Sequence, residues 1–267
     1  MTSQQVKSSR NLEGLFSLEG KTAVVVGGGG HICSELSRGF ASAGANVVVV
    51  DIRYEKAESI ASSIKKEFNV KTLSVQADAR DKNDLSNVMK SATEFSPIIH
   101  IAVNGGGINS AVPFLEIEEQ DWQKVVDSQL TATYLGCQAF GAHMLKNGLG
   151  SIINISSASA ETALSKAFAY SASKAGIRNL TQNLGREWGK LGIRVNALRP
   201  GFFPTEWNKK NFITPERESS ILNHTPMGRF GETHELVGAA IFLASDASSF
   251  VTGSEVVVDG GFSAMTV

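Results

Sequence analysis

Tyr170 and Lys174 are the residues in this sequence best placed to do chemistry. A spacing of four puts both on one face of a helix. A free phenol titrates near about pH 10, and a neighbouring ammonium favours phenolate and lowers that value. The positive ring of an oxidised nicotinamide would act in the same direction. A phenol tuned in this way can take a proton from an alcohol, or return one to a ketone, while hydride moves. Ser157, at the end of an apolar run, can hydrogen-bond the reacting oxygen. Taken alone, Tyr-x-x-x-Lys describes any exposed helix pair. It gains meaning only if the chain also holds a hydride carrier beside it.

A carrier site is written earlier in the chain. Gly27-Gly28-Gly29-Gly30 follows an apolar run and precedes His31-Ile32-Cys33 and a helical pattern. A glycine turn lets the backbone approach a pyrophosphate, and the helix N-terminus adds unpaired amides and positive dipole charge. Gly27, Gly29, Gly30, His31 and Ile32 are therefore expected at the phosphates. Asp51 ends the next apolar run, followed by Ile52. A carboxylate there accepts bonds from both hydroxyls of the adenosine ribose and repels a 2′-phosphate, which predicts NAD over NADP. Arg53 can soften that preference. Asp78, followed by Ala79, is expected near the adenine amine. Asn104, Gly105 and Gly106 are expected against the ribose.

These residues need elements to place them. Apolar, β-branched runs at 22–26, 46–50, 71–76, 98–103, 151–156, 194–198 and 255–258 read as strands. Helical patterns fall at 32–43, 55–68, 82–93, 120–147, 169–188, 218–223 and 232–244. Strands with few polar positions, separated by helix-length segments, predict an α/β fold. Right-handed crossovers then give a single doubly wound parallel sheet, Rossmann-type, with helices on both faces. Ligands of such sheets lie beyond the carboxyl ends of the strands, where the residues named above fall. Residues 1–17 read as a polar N-terminal arm and 18–267 as one domain.

Composition narrows the function classes. A chain of 267 residues with 42% hydrophobic and 19% charged residues is an ordinary globular protein. A formal net charge of -1 provides no basic field for nucleic acid or an anionic membrane. No apolar run approaches a membrane span, and no signal-peptide pattern opens the chain. The two cysteines, Cys33 and Cys137, make no disulfide framework, so a reduced, cytoplasmic setting is expected. The reading calls for a small-molecule substrate and for no metal, nucleic acid or membrane.

Together these motifs resemble the short-chain dehydrogenase/reductase family. The glycine turn, Asn104-Gly105-Gly106-Gly107, Ser157, Tyr170-x-x-x-Lys174, Pro200-Gly201 and Val258-Asp259-Gly260-Gly261 fall in family order over nearly all of 18–262. The resemblance implies that Ser157, Tyr170 and Lys174 are catalytic and that Lys174 also holds the nicotinamide ribose. It implies that Pro200, Gly201, Phe203 and Thr205 wrap the nicotinamide end. It also implies a homo-oligomer, usually a tetramer, built through helices around 115–146 and 168–190, with residues 262–267 available for another interface.

Three positions depart from the family pattern. His31 and Cys33 stand where glycines are usual. His31 would be strained if it kept a glycine's backbone angle, and Cys33 reads as a small packing residue near the cofactor, where alkylation would block binding. Gln129 stands where the family has an asparagine that holds a helix kink, whose backbone carbonyl fixes a water beside the lysine. Its longer amide predicts a working but altered proton relay.

The segment 202–229 is expected to cover the substrate. It carries Trp207, Asn208, Lys209, Lys210, Arg217, His224 and Arg229, a polar set. Ser159, Glu161 and Thr162 also favour a hydroxyl-rich ligand, with Ser157, Ser159, Trp207 and Asn208 as contacts. Residues 200–208 resemble the sugar and sugar-acid branch of the family, of the gluconate 5-dehydrogenase and mannonate/fructuronate oxidoreductase kind. The expected reaction is NAD(P)-dependent interconversion of a secondary alcohol and a ketone on a sugar, sugar acid or polyol. The alternatives are a 3-oxoacyl thioester reductase, which would favour NADP, and a catalytically weak dinucleotide-binding relative.

Overall fold

The computed structural model describes residues 11–205 and 213–265. Its strands are β1 (Thr22–Val26), β2 (Asn46–Asp51), β3 (Thr72–Gln76), β4 (Ile101–Asn104), β5 (Gly150–Ile155), β6 (Ile193–Pro200) and β7 (Glu255–Val258). They form one parallel sheet in the order β3-β2-β1-β4-β5-β6-β7. The chain reverses its direction of travel across the sheet between β1 and β4. A crevice opens there at the strands' carboxyl ends.

The helices are α1 (Leu12–Phe16), α2 (His31–Ser42), α3 (Tyr54–Glu67), α4 (Lys82–Phe95), α5 (Glu119–Val126), α6 (Ala132–Asn147), α7 (Phe168–Trp188), α8 (Pro215–Asn223) and α9 (Val237–Ala244). Successive strand side chains point to opposite faces. Val25, Val49 and Ile153 pack with Leu36, Phe40, Ile64 and Leu243 from α2, α3 and α9. Val24, Val48 and Ile152 pack with Val88, Phe140 and Met144 from α4 and α6. Both faces are covered, which explains why the strand sequences lack polar alternation.

The expected single sheet is present, and its boundaries move by a few residues. The arm contains α1, capped by Asn11, whose Oδ1 accepts from Glu13 N at 3.3 Å. Residues 98–100 lie outside β4. The helix expected over 120–147 is broken by a π turn at Asp127–Thr131. The one expected over 232–244 begins instead as a 3₁₀ turn at Thr233–Leu236.

At the sheet's opposite end, two histidines replace strand partners. Thr22 N donates to His100 Nδ1 at 3.1 Å, and Ile99 N donates to His143 Nε2 at 3.2 Å. Both rings must be neutral at the accepting nitrogen. Burial lowers both pKa values; Lys21 and His143 add to the effect on His100, and Lys146 to that on His143. A histidine with a depressed folded pKa stabilises the fold fully above its unfolded value of about 6.5 and loses that contribution as pH falls toward the folded pKa. The urea midpoint should therefore fall between pH 7.5 and 5. His100→Gln, which keeps an acceptor without titrating, should flatten part of that fall in equilibrium denaturation.

Candidate active site

The crevice is built from two crossing glycine turns. Gly27 has φ 72°, a left-handed angle that suits glycine, and a Cβ there would lie 2.8 Å from Gly105 O. Gly28 N donates to Val50 O and Gly30 N to Gly27 O, both at 2.8 Å. Gly30 caps α2 without a side-chain bond, so the amides of the first turn have no side-chain acceptor. This cradle fits a phosphate. His31 opens α2 with helical geometry and an exposed side chain, and Lys166 is the one non-glycine with positive φ among the described residues. The strain expected at His31 is therefore absent, because the left-handed angle falls at Gly27.

Cys33 lies behind the turn and is buried. A Cβ on Gly105 would collide with its sulfur, so the missing side chain at one position makes room for the thiol at the other. Burial pushes the Cys33 thiol up to about 12. The expected packing role fits this setting. Ready alkylation does not, since the thiolate is the reactive form. Ile32 packs its side chain against the core of the same face.

Asp51 is buried at the end of β2. Its Oδ2 accepts from Gly29 N at 3.1 Å and its Oδ1 from Arg53 N at 3.0 Å. Arg53 Nε also reaches Oδ1, at 3.4 Å, so Oδ2 is the oxygen with a lone pair left for a ribose hydroxyl. A Cβ on Gly29 would lie 2.8 Å from Oδ2. Ile52 is half exposed beside it, with its carbonyl accepting from Gln76 Nε2 at 3.1 Å. Asp78 lies past β3, before Ala79, with its carboxylate forked onto Arg80 at 2.9 and 2.6 Å. That pairing holds its pKa below the usual carboxylate range. The side chain of Asn104 turns inward, its Nδ2 donating to Asn154 Oδ1 at 2.9 Å. Of this loop, the backbone of Gly105 and Gly106 faces the turn at Gly27.

Ser157, Tyr170 and Lys174 come together past β5. Lys174 is 3% exposed, and its Nζ donates to Ile155 O at 2.6 Å. Burial lowers its pKa to about 8. Two ammonium protons remain beyond that bond, which suits ribose hydroxyls. Nζ lies 5.4 Å from the centre of the Tyr170 ring. Burial raises the Tyr170 pKa, and a hydrogen bond from Ser157 opposes the rise. Desolvation of the phenolate therefore outweighs that bond in the protein alone. Ser159 is buried and bonded to Ser157 rather than turned toward a ligand.

Gln129 lies within the π turn. Its Nε2 donates to Ile108 O at 2.9 Å, while Ile108 N donates to Ser128 Oγ at 3.1 Å. The amide occupies space above Gly107, where a Cβ would lie 2.5 Å from it. The helix kink at this position is present as the π turn. The Gln129 carbonyl accepts from Thr133 Oγ1 at 2.8 Å.

Pro200 ends β6, and Gly201 N donates to Val258 O at 2.9 Å. The Phe203 ring packs on Gly231 and the core, which makes it a wall rather than a polar contact. Thr205 closes this described stretch. Trp207, Asn208, Lys209 and Lys210 lie outside the described residues. Arg229 is bound by Glu235 at 2.7 Å, and the His224 ring stacks edge-on against Phe262 at 4.7 Å. A cavity of ≈ 380 Å³ lined by Met227, Arg229 and Val257 lies at the end of β7, and neither Tyr170 nor Lys174 lines it.

Two groups escaped the reading of motifs. Asn154 and Thr181 join Asn104 beneath the site, with Asn154 Nδ2 donating to Thr181 Oγ1 at 3.0 Å. Arg199, buried in β6, pairs with Glu161 and with Glu255, the latter at 3.4 Å; Arg178 reaches Glu255 at 3.2 Å. Glu161 is therefore committed to arginines rather than to a hydroxyl-rich ligand. Polar residues inside apolar strands were the available signal.

A doubly wound parallel sheet with a glycine cradle, a buried carboxylate beside it and a Ser–Tyr–Lys cluster defines a dinucleotide-dependent oxidoreductase. A family model of the short-chain alcohol dehydrogenase type, described as "Enoyl-(Acyl carrier protein) reductase", matches residues 30–263. Gluconate 5-dehydrogenase of Gluconobacter oxydans is 35% identical over 92% of this chain and 96% of its own. D-threitol dehydrogenase of Mycolicibacterium smegmatis is 36% identical over 92% and 94%. A crystal structure of gluconate 5-dehydrogenase from Burkholderia cenocepacia, in complex with NADP and tartrate, superposes with a TM-score of 0.91 at 34% identity, covering 96% of this chain and 100% of its own. The chain belongs to the short-chain dehydrogenase/reductase family. It is an NAD(P)-dependent oxidoreductase of the secondary alcohol/ketone type.

The Cys33–Gly105 contact makes a direct test. Gly105→Ala should lower stability by about 1–3 kcal/mol through overpacking. Cys33→Gly in the same chain should restore part of it, beyond the sum of the single effects. Chemical denaturation of the four-protein cycle measures that coupling.

Proposed function

We propose that Tyr170 is the general acid–base residue, with Ser157 and Lys174 beside it, for oxidation and reduction of a sugar, sugar acid or polyol. The observation that carries this reading is the buried Lys174 ammonium 5.4 Å from the centre of the Tyr170 ring, on a helix docked against the strand that leads into Ser157. A nicotinamide, when bound, exchanges hydride with the substrate carbon. Tyr170 takes the hydroxyl proton in oxidation and returns it in reduction. Ser157 donates to the substrate oxygen and stabilises its developing negative charge. Lys174 supplies positive charge to the phenolate and donates to ribose hydroxyls. Since burial alone raises the phenol's pKa, that charge is needed at neutral pH.

Gly27, Gly29, Gly30 and the first turn of α2 would receive the pyrophosphate, and Asp51 the adenosine ribose. Asp78 and Ala79 would border the adenine. Pro200, Gly201, Phe203 and Thr205 would wall the nicotinamide end. Asp51 supports a preference for NAD over NADP, although the Burkholderia gluconate 5-dehydrogenase binds NADP. Arg53 lies 3.4 Å from Asp51 Oδ1 with half its side chain exposed, and it can moderate the preference. The named activities of the gluconate and threitol dehydrogenases support a polyhydroxylated substrate. The retained π turn and complete Ser–Tyr–Lys set favour an active enzyme over a weak dinucleotide-binding relative.

Exposed Leu115 and Tyr134, near α5 and α6, and Phe168 at the start of α7 support a homo-oligomer, read as a tetramer. No helix among the described residues is long and apolar enough to cross a membrane. Two free buried cysteines support a reducing, cytoplasmic setting.

Tyr170→Phe should cut turnover of gluconate or a tetritol by at least about a hundredfold, the scale of general acid–base catalysis. Dinucleotide binding, followed by fluorescence titration, should persist. Turnover confined to apolar ketones or acyl thioesters would overturn the substrate reading. In a separate titration, NADH should bind at least about tenfold tighter than NADPH, equivalent to roughly 1.4 kcal/mol of charge discrimination. Asp51→Ala should narrow that ratio. An equal or reversed ratio in the unmodified protein would remove the NAD assignment.

A further inference from the structure

Ser157 is bound within its own turn. It caps the 3₁₀ turn Ala158–Ala160, and its Oγ accepts from Ser159 N at 3.2 Å. The Ser159 hydroxyl donates to the same oxygen at 3.2 Å. Both serines are buried, at 9% and 4% exposure. A serine hydroxyl has one proton and two acceptor lone pairs. Two donors from Ser159 fill both lone pairs of Ser157, leaving its own proton as the group it can still offer.

We infer that Ser159 is a positioning residue that makes Ser157 an obligatory hydrogen-bond donor, its one proton directed to the phenol in the free protein and to the reacting oxygen when substrate is bound. This rests on the proposed roles of Ser157 and Tyr170. Without the Ser159 hydroxyl, one lone pair of Ser157 is free. Ser157 can then accept from a protonated phenol or a substrate hydroxyl, the wrong polarity for stabilising a developing oxyanion. The backbone bond from Ser159 N alone does not prevent that reversal.

The surrounding turn keeps this arrangement in register. Ala160 N donates to Ser157 O at 2.9 Å, and Thr162 Oγ1 donates to Ala158 O at 2.8 Å. Glu161, the next residue, is tied to Arg199 in β6 and lies 3.7 Å from Arg178 in α7. The turn is thus pinned to the helix that carries Tyr170 and to the strand beside β5. Ser159 faces Ser157 because the turn cannot rotate freely to present it to a ligand.

Ser159→Ala tests the inference with a split that substrate contact would not give. Its kcat should fall about three- to tenfold, the scale of one net hydrogen bond, with KM for the polyol within about twofold. The acid limb of kcat/KM should move to higher pH. Ser159→Thr, which keeps a hydroxyl, should recover much of the rate. In the cofactor-free protein, NMR titration of ¹³C-labelled tyrosine, with Tyr170→Phe for assignment, should show Tyr170 titrating higher in Ser159→Ala. A raised KM with unchanged kcat and pH profile would instead make Ser159 a substrate contact and overturn the inference. So would an unshifted Tyr170 titration in a folded Ser159→Ala protein. If the unmodified chain turned over no sugar, sugar acid or polyol, the proposed substrate class would fail while the titration still decided the role of Ser159.

Discussion

The buried ammonium of Lys174 constrains the whole catalytic end of the sheet. Removing such a charge from water costs several kcal/mol unless acceptors replace its hydration. The carbonyl of Ile155 supplies one, at the end of β5. That bond fixes α7 against the strand that also delivers Ser157. Tyr170, one turn earlier on the same helix, is placed by the same contact. The Ser157–Tyr170–Lys174 cluster is therefore a consequence of docking one helix on one strand, and its three members cannot be positioned independently.

The docking is held from below by polar groups that apolar strands would not ordinarily contain. Asn104 of β4 bonds Asn154 of β5, which bonds Thr181 of α7. Thr181 in turn donates to Ile177 O at 2.8 Å. This chain crosses from sheet to helix two to three turns beneath Tyr170. Each buried polar group finds a partner, so the network avoids the desolvation penalty of an orphan and sets one register for α7. Beside that network, Arg178 of α7 and Arg199 of β6 share Glu161 and Glu255. A neutral network fixes the helix to the sheet, and a charged one fixes the loop after Ser157 to the helix.

Much of this was legible in sequence, because burial on two faces writes unbroken β-branched runs and leaves chemistry at the strand ends. The seven strands, the glycine turn, Asp51 and Ser157 follow from that rule, and Tyr170 and Lys174 from helical spacing. Local rules were weaker where the answer depended on a distant neighbour. The backbone of Asn104 was expected against the ribose because it ends a strand, while the partner of its side chain, Asn154, lies fifty positions away and left no local signal. Glu161 looked like a ligand group until Arg199 claimed it. The break in the helix at 127–131 left no proline or glycine signature, since a π turn needs an extra residue rather than a breaker. Phenol acidity has the same character: the spacing to Lys174 is visible in sequence, while the burial that raises the Tyr170 pKa belongs to the packed fold.

The departures at Cys33 and Gln129 show how one position's meaning is set by another. Cys33 adds a side chain where the family commonly has none, and Gly105 leaves the space that the sulfur enters. Gln129 extends a side chain beyond the usual asparagine, and Gly107 lies under the extra length while Ile108 accepts its amide proton. In both cases a larger residue on a helix meets a glycine in the loop after β4. That loop runs between the cofactor cradle and the catalytic helix, so volume gained on either side is absorbed there without moving Tyr170 or the turn at Gly27. Substitutions that look disabling one position at a time are compatible with the cluster because the space they require is provided by the same short loop.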